Sequence, residues 1–309
     1  MRHRPLVVAG LVAALSATAV LTATMAQADT TPVRLVAADP PTIPTSAPLV
    51  HIGDLQKIAD ANGGTRAHGR PGHKASVEAV KAKLDAVGFK TQVVPFNHAG
   101  AQGWNLIADW TGGDENNILM VGAHIDSVTA GPGLNDNGSG TSAILEVALQ
   151  VAKANLKPTR HLRFAWWGAE EIGLIGSSAY VRALPAAEKS KIKSYLNFDM
   201  VATKKVKKWG VYSDGDKALA AEIKAWYDAR NVPTVPLDIN GRSDHAAFTR
   251  AGIAASGVIS EDSLSNLDPC YHKACDTQTS LSPDALGLAT NMIAGVMWKL
   301  SGAKVAARS

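Results

Sequence analysis

The sequence predicts one α/β domain built on a largely parallel, helix-covered sheet. Length and composition support this, since 309 residues that are 46% hydrophobic and 19% charged can bury one large core. Short apolar runs also alternate with segments of helical spacing, the pattern of strand-helix-strand units. No internal repeat and no second domain boundary interrupts residues 49–309.

In chain order, Arg2, His3 and Arg4 precede an apolar stretch over 6–25 that ends in Ala26-Gln27-Ala28. A charged head, an apolar middle and small residues at the cut predict a secretory signal over 1–28 and an extracellular protein. A membrane anchor is the rival, but polar Asp29 and Thr30 favour cleavage, leaving no stable membrane association afterwards. Residues 29–48, with Pro32, Pro40, Pro41, Pro44 and Pro48, read as a linker or short propeptide.

Apolar periodicity predicts helices over 52–62 and 74–87, the second ended by Gly88. Strands follow over 90–96, 104–110 and 118–123. After a glycine-rich loop, Ile144, Leu145, Ala148, Leu149 and Ala152 share one face of a helix over 141–154. A strand over 162–167, a helix over 173–183 and a strand over 195–198 continue the alternation. A helix over 217–229, a strand near 253–259 and a helix over 283–300 complete it.

The formal charge of +4 is spread over scattered Lys and Arg with no aromatic-basic stripe, so no nucleic-acid partner is expected. Lys204, Lys205, Lys207 and Lys208 form the one dense group and read as a solvated hairpin tip. In an exported chain Cys270 and Cys275 predict a small-loop disulfide, not a thiolate metal site.

Open α/β sheets bind ligands beyond the carboxyl ends of their strands. His124, Glu170, Glu171 and Asp199 each follow an apolar strand, Asp136 lies in the glycine-rich loop, and His272 lies between the cysteines. Imidazoles and carboxylates without thiolates suit catalytic zinc that keeps an open position. Each residue alone also has a plainer reading: an Asx turn at Asp136 with a cap near Ser139, helix caps at Ser243 or Asp244, a surface aromatic at Tyr271.

Adjacent acids repel, so Glu170 and Glu171 imply divided roles. Glu171 suits an ionised ligand, and Glu170 suits a base that takes a proton from water and passes it to the leaving amine. Asp126, two residues beyond His124, could accept the other imidazole proton. Tyr271 could hydrogen-bond an oxyanion, and Arg242 a carboxylate or developing charge. Asp244 and His245 could support the metal shell. Trp166 and Trp167 read as core and wall.

Taken together, His124-x-Asp126-Ser127, Asn135-Asp136-Asn137-Gly138-Ser139-Gly140, Trp167-Gly168-Ala169-Glu170-Glu171-Ile172-Gly173, Asn197-Phe198-Asp199-Met200, Arg242-Ser243-Asp244-His245 and Cys270-Tyr271-His272 resemble, in order, the secreted bacterial di-zinc aminopeptidases of leucyl type. The similarity includes the segment 62–72 and runs from Ile52 to the final helix. The resemblance implies a zinc exopeptidase-like domain, with a mixed sheet and helices on both faces, that releases large apolar N-terminal residues from peptides with a free N-terminus. It implies two zinc ions: His124 and Asp199 on one, Glu171 and His272 on the other, Asp136 between them. Glu170 becomes base then acid, and Tyr271 and Arg242 contact the intermediate.

The segment 257–269, beside the expected substrate pocket, looks shorter than in similar members. No carboxylate follows Asp284, so a calcium site of the kind some relatives carry is not expected. A carboxypeptidase, a glutaminyl cyclase and a non-catalytic metal-binding surface module are the rival functions. A monomer is the default for a compact secreted hydrolase.

Overall fold

Alternate side chains of the central strands point to opposite faces, and both faces here are apolar. The structure, a computed structural model, describes Met1, residues 35–37 and residues 39–306. Apart from Met1, the expected signal over 1–28 lies outside the described residues. In order the elements are β1 (Leu35–Ala37), α1 (Ser46–Ala61), α2 (Pro71–Asp85), β2 (Lys90–His98), β3 (Ala101–Asp109), β4 (Asp114–His124), an irregular π-helical turn (Leu134–Ser139) within the loop that follows, α3 (Gly140–Lys153), β5 (Arg160–Trp167) and α4 (Ile175–Ala183). Then come α5 (Ala186–Lys191), β6 (Ile192–Phe198), β7 (Trp209–Tyr212), α6 (Lys217–Asp228), β8 (Thr234–Leu237), α7 (His245–Thr249), β9 (Ala255–Ile259), α8 (Pro283–Ser301) and β10 (Lys304–Ala306).

Eight strands form one mixed sheet in the order β2-β3-β5-β4-β6-β9-β7-β8, while β1 and β10 pair antiparallel apart from it. The centre is parallel, with β5, β4, β6 and β9 running together; β3 runs antiparallel to both β2 and β5, and β7 runs antiparallel to β9 but parallel to β8. Leu119, Val121 and Ala123 of β4, with Leu162, Phe164 and Trp166 of β5, pack in the larger core with Ile52 of α1, Ile144 of α3 and Ile293 of α8. Met120 of β4 and Trp167 of β5 face the other way, against Tyr180 of α4 and Phe248 of α7. Period-two alternation within strands buried on both faces therefore puts helices on both faces.

Several boundaries differ from the sequence expectation. Helix α1 starts at Ser46, not near 52, because Pro48 falls in its first turn, where the backbone N–H has no helical partner to lose. Helix α2 starts at Pro71, which opens it with a preset φ. Strands β7 and β8 and helices α5 and α7, of four to six residues each, are too short to show periodicity. Pro236 lies in β8, and β8 is an edge strand, the position where a missing N–H is tolerated. The lysines at 204–208 are not on a hairpin tip: β6 and β7 are separated by β9, so the segment is a crossing loop.

Candidate active site

Parallel pairing brings the carboxyl ends of three neighbouring strands together. His124 ends β4 in register with Trp167 at the end of β5, and Gly122 pairs with Asn197, two residues before Asp199. Glu170 and Glu171 lie just past β5, and Asp136 reaches the same edge from the loop before α3. Glycine is required in that loop: Gly133 has φ +61°, and a Cβ on Gly140 would lie 2.2 Å from the Phe198 carbonyl.

The imidazole and carboxylate groups converge. His124 Nε2 lies 3.2 Å from Asp136 Oδ1, 3.3 Å from Asp199 Oδ1 and 3.9 Å from Glu170 Oε2. His272 Nε2 lies 3.1 Å from Asp136 Oδ2 and 2.8 Å from Glu171 Oε2. Asp136 thus offers one oxygen to each imidazole. The disulfide Cys270–Cys275 closes the loop that carries Tyr271 and His272, and their rings stack at 3.8 Å. Non-glycine residues with left-handed backbone sit at or beside these groups: Ala169 (φ 57°), Met200 (φ 49°) and His272 (φ 56°). Such conformations cost about 1 kcal/mol or more each and gather where geometry is functional.

Carboxylates outnumber the cations that could neutralise them. Burial drives the Glu170 carboxyl well above the ordinary range; His124 opposes this, and Asp199, Asp244 and Glu171 add to it. Burial and Asp136 likewise push Glu171 up to about 7 against the pull of His272. Asp136 goes down despite its burial, because the two imidazoles flank it. His272 rises to about 10, its burial outweighed by Asp136 and Glu171.

A metal ion fits this donor set. His124 Nε2, Asp199 Oδ1 and Glu171 Oε1 are buried and have no hydrogen-bond partner, a deficit that bound cations would satisfy. Two overlapping groups have ligand atoms close enough to share an ion: His124 with Glu170 and Asp199, and His124 with Asp136 and Glu171.

His124, Asp126, Asp136, Glu170, Glu171, Asp199, Arg242, Tyr271 and His272 sit in or around this cluster, though some contacts differ from expectation. Asp126 lies 3.5 Å from His124 Nδ1, which has no hydrogen-bond partner. Its carboxylate instead accepts the backbone N–H groups of Glu170 and Glu171, at 3.2 and 3.4 Å. Arg242 Nη2 donates to Tyr271 Oη at 3.2 Å. His245 does not support the cluster; it pairs with Asp214 at 3.1 Å. Asp244 is buried with both oxygens unpartnered and gives α7 no side-chain cap. Ser139 makes no cap either, and Asn137 Oδ1 accepts the Gly140 N–H in its stead.

One support was missed altogether. A buried chain of donors runs from Trp167 Nε1 to Tyr195 Oη (2.8 Å), on to Asn197 Oδ1 (2.7 Å), then from Asn197 Nδ2 to Ser243 Oγ (2.8 Å) and from Ser243 to Asp199 Oδ2 (2.6 Å). It occupies one carboxylate oxygen of Asp199 and leaves the other for the cluster. Asn197 lies on β6 two residues before Asp199, which follows the strand end directly, a spacing that could have revealed it.

The cluster floors a cleft of about 420 Å³. Met200, Tyr212, Ile239, Ile259 and Leu264 form an apolar wall, with Arg242 and Tyr271 beside it.

A model of Peptidase family M28 matches residues 105–297. The leupeptin-inactivating enzyme 1 of Streptomyces exfoliatus is 48% identical over 277 residues, covering 84% of this chain and 63% of that enzyme. An aminopeptidase of Pseudomonas aeruginosa is 40% identical over 223 residues, covering 64% of this chain and 41% of that protein. The chain thus spans less than two thirds of either relative. Among solved structures, BSAP, a zinc aminopeptidase from Bacillus subtilis, superposes with a TM-score of 0.77 at 18% identity, covering 85% of this chain and 96% of that one. That likeness is one of fold.

Proposed function

The chain belongs to peptidase family M28, and from that membership we propose that it is a secreted zinc aminopeptidase acting on peptides with a free, large apolar N-terminal residue. The observation that carries the reading is Asp136, whose two oxygens lie 3.2 and 3.1 Å from the imidazoles of His124 and His272. In this reading His124 and Asp199 would hold one zinc and Glu171 and His272 a second, with Asp136 available to both. When bound, the ions supply Lewis acidity toward water and the scissile carbonyl.

The chain's own residues do the rest. Glu170 takes the proton of the attacking water and delivers it to the departing amine; burial, which raises its affinity for a proton, suits a group that must both accept and return one. Asp126 holds the backbone of both glutamates, which keeps the base beside the ligand. Burial also raises the Tyr271 phenol, so it stays protonated and donates to the developing oxyanion while Arg242 orients it. The carboxylate-rich floor attracts an α-ammonium group, and the wall of Met200, Ile239, Ile259 and Leu264 accepts an apolar side chain.

The experiment is hydrolysis of Leu-p-nitroanilide and of N-blocked peptides by pure protein, before and after chelation and zinc return, with zinc counted per chain. Cleavage confined to the free-amine substrate, lost with chelation and restored by about two zinc ions, is expected. Activity on blocked peptides alone, or cyclisation of N-terminal glutamine without peptide cleavage, overturns it. Sequencing the secreted protein's N-terminus tests export.

A further inference from the structure

Asp136 can serve both imidazoles only if the loop that carries it is held in register. Two buried charges of opposite sign grip that loop. Arg66 donates through Nε to the Pro132 carbonyl at 2.9 Å, through Nη2 to that of Gly133 at 2.6 Å and through Nη1 to that of Ile125. Asp276 accepts the Asn135 N–H at 2.7 Å on one oxygen and the Asp136 N–H at 2.9 Å on the other, and its carbonyl accepts the Leu134 N–H at 3.2 Å. From Pro132 to Asp136 every residue gives one backbone group to one of these two side chains or, at Leu134, to the Asp276 backbone.

Neither Arg66 nor Asp276 lines the cleft, so neither is placed to touch substrate. Both are buried, and burying a charge is costly unless it is fully hydrogen-bonded. Here that bonding goes to main chain: three carbonyls around the guanidinium and two successive N–H groups on the carboxylate. Hydrogen bonds to a charged partner are roughly twice as strong as neutral ones. Asp276 also directly follows Cys275, so one residue ties the Asp136 loop to the disulfide loop that carries His272.

We propose that Arg66 and Asp276 are positioning residues: a charge clamp that sets the 132–136 backbone so that Asp136 presents one oxygen to each imidazole before any metal binds. The proposal rests on the zinc reading above and deepens it. Asp276→Asn is the sharp variant, because its amide has nearly the same shape but turns an NH2 toward a backbone N–H.

The test measures zinc affinity of Asp276→Asn by competition with a chelating dye, alongside thermal unfolding of the metal-free protein. Outer partners of metal ligands typically contribute 10- to 100-fold in affinity, so a loss of about that size in the folded protein is expected. A lower melting temperature with wild-type zinc affinity would mean a merely structural role and overturn the clamp. Should the variant fail to fold, amide exchange of the metal-free wild type decides: Leu134, Asn135 and Asp136 are expected to be protected, and exchange as fast as in an open loop refutes the proposal. A wild type that binds no zinc yet protects these amides would sink the function and spare the clamp.

Discussion

Replacing Glu170 by Gln keeps shape and volume while removing basicity, so it isolates the proton transfer. General acid-base catalysis contributes roughly 10²- to 10⁴-fold, or about 2.7–5.5 kcal/mol of barrier. The structure argues for the upper end, because no neighbouring carboxylate is free to substitute. Asp126 is engaged by two backbone N–H groups; Asp136 and Glu171 contact His272; Asp199 takes the Ser243 hydroxyl on one oxygen and faces His124 with the other. Asp244 is fully buried and does not line the cleft. The expected result is a kcat on Leu-p-nitroanilide lowered by about 10³- to 10⁴-fold with KM little changed. Zinc content must be measured on the same sample, because His124, Glu170 and Asp199 are also close enough to share an ion. A Glu170→Gln protein that loses activity together with a zinc would make Glu170 a ligand; one that keeps full activity would remove it from the mechanism.

Ser243→Ala deletes the 2.6 Å bond to Asp199 and strips Asn197 Nδ2 of its acceptor, so zinc affinity should fall about 10- to 100-fold, and an unchanged chelator titration would contradict this. Opening the Cys270–Cys275 loop with paired serines should cost about 2 kcal/mol of stability by the chain-entropy estimate, and weaken zinc binding by freeing His272; equal melting curves with and without reductant would argue against it. Asp109→Ala leaves Arg163 and His161 without their shared carboxylate and should destabilise the fold by about 2 kcal/mol. That loss depends on pH in a defined sense. His161 is raised by its bond to Asp109, so its share is complete below about pH 6.5 and disappears as pH rises through the higher folded value. Asp109 is depressed, its burial outweighed by His161 and Arg163, so its share is present above about pH 3.9 and is lost as pH falls. Melting curves of both proteins should therefore differ most between these limits; a gap that widens above pH 8 would count against the assignment.

Much of the architecture was legible because long elements repeat their signal. The helix over 283–300 and the strand over 162–167 were found to within two residues, since each presents several turns or alternations to a core. Elements of four to six residues had no such redundancy, and the 204–208 segment was misread as a hairpin tip because sequence does not reveal that β9 inserts between β6 and β7. Among the site residues, strand ends marked His124 and Asp199, whereas the contacts of Asp126, Asp244 and His245 depended on which loops met at the sheet edge.

By itself the sequence determined the residue types of the site, their ordered spacing and the α/β class, because side-chain chemistry and periodicity are local properties. Only the tertiary structure decided that Asp136 stands between two imidazoles 148 residues apart in sequence (His272 minus His124), one at a strand end and one in a loop. It also decided that Ser243 serves Asp199 instead of a helix end, and that Arg66 and Asp276 grip a loop distant from both. These depend on parallel strand order and on buried backbone groups finding partners, and neither is encoded at any single position of the chain.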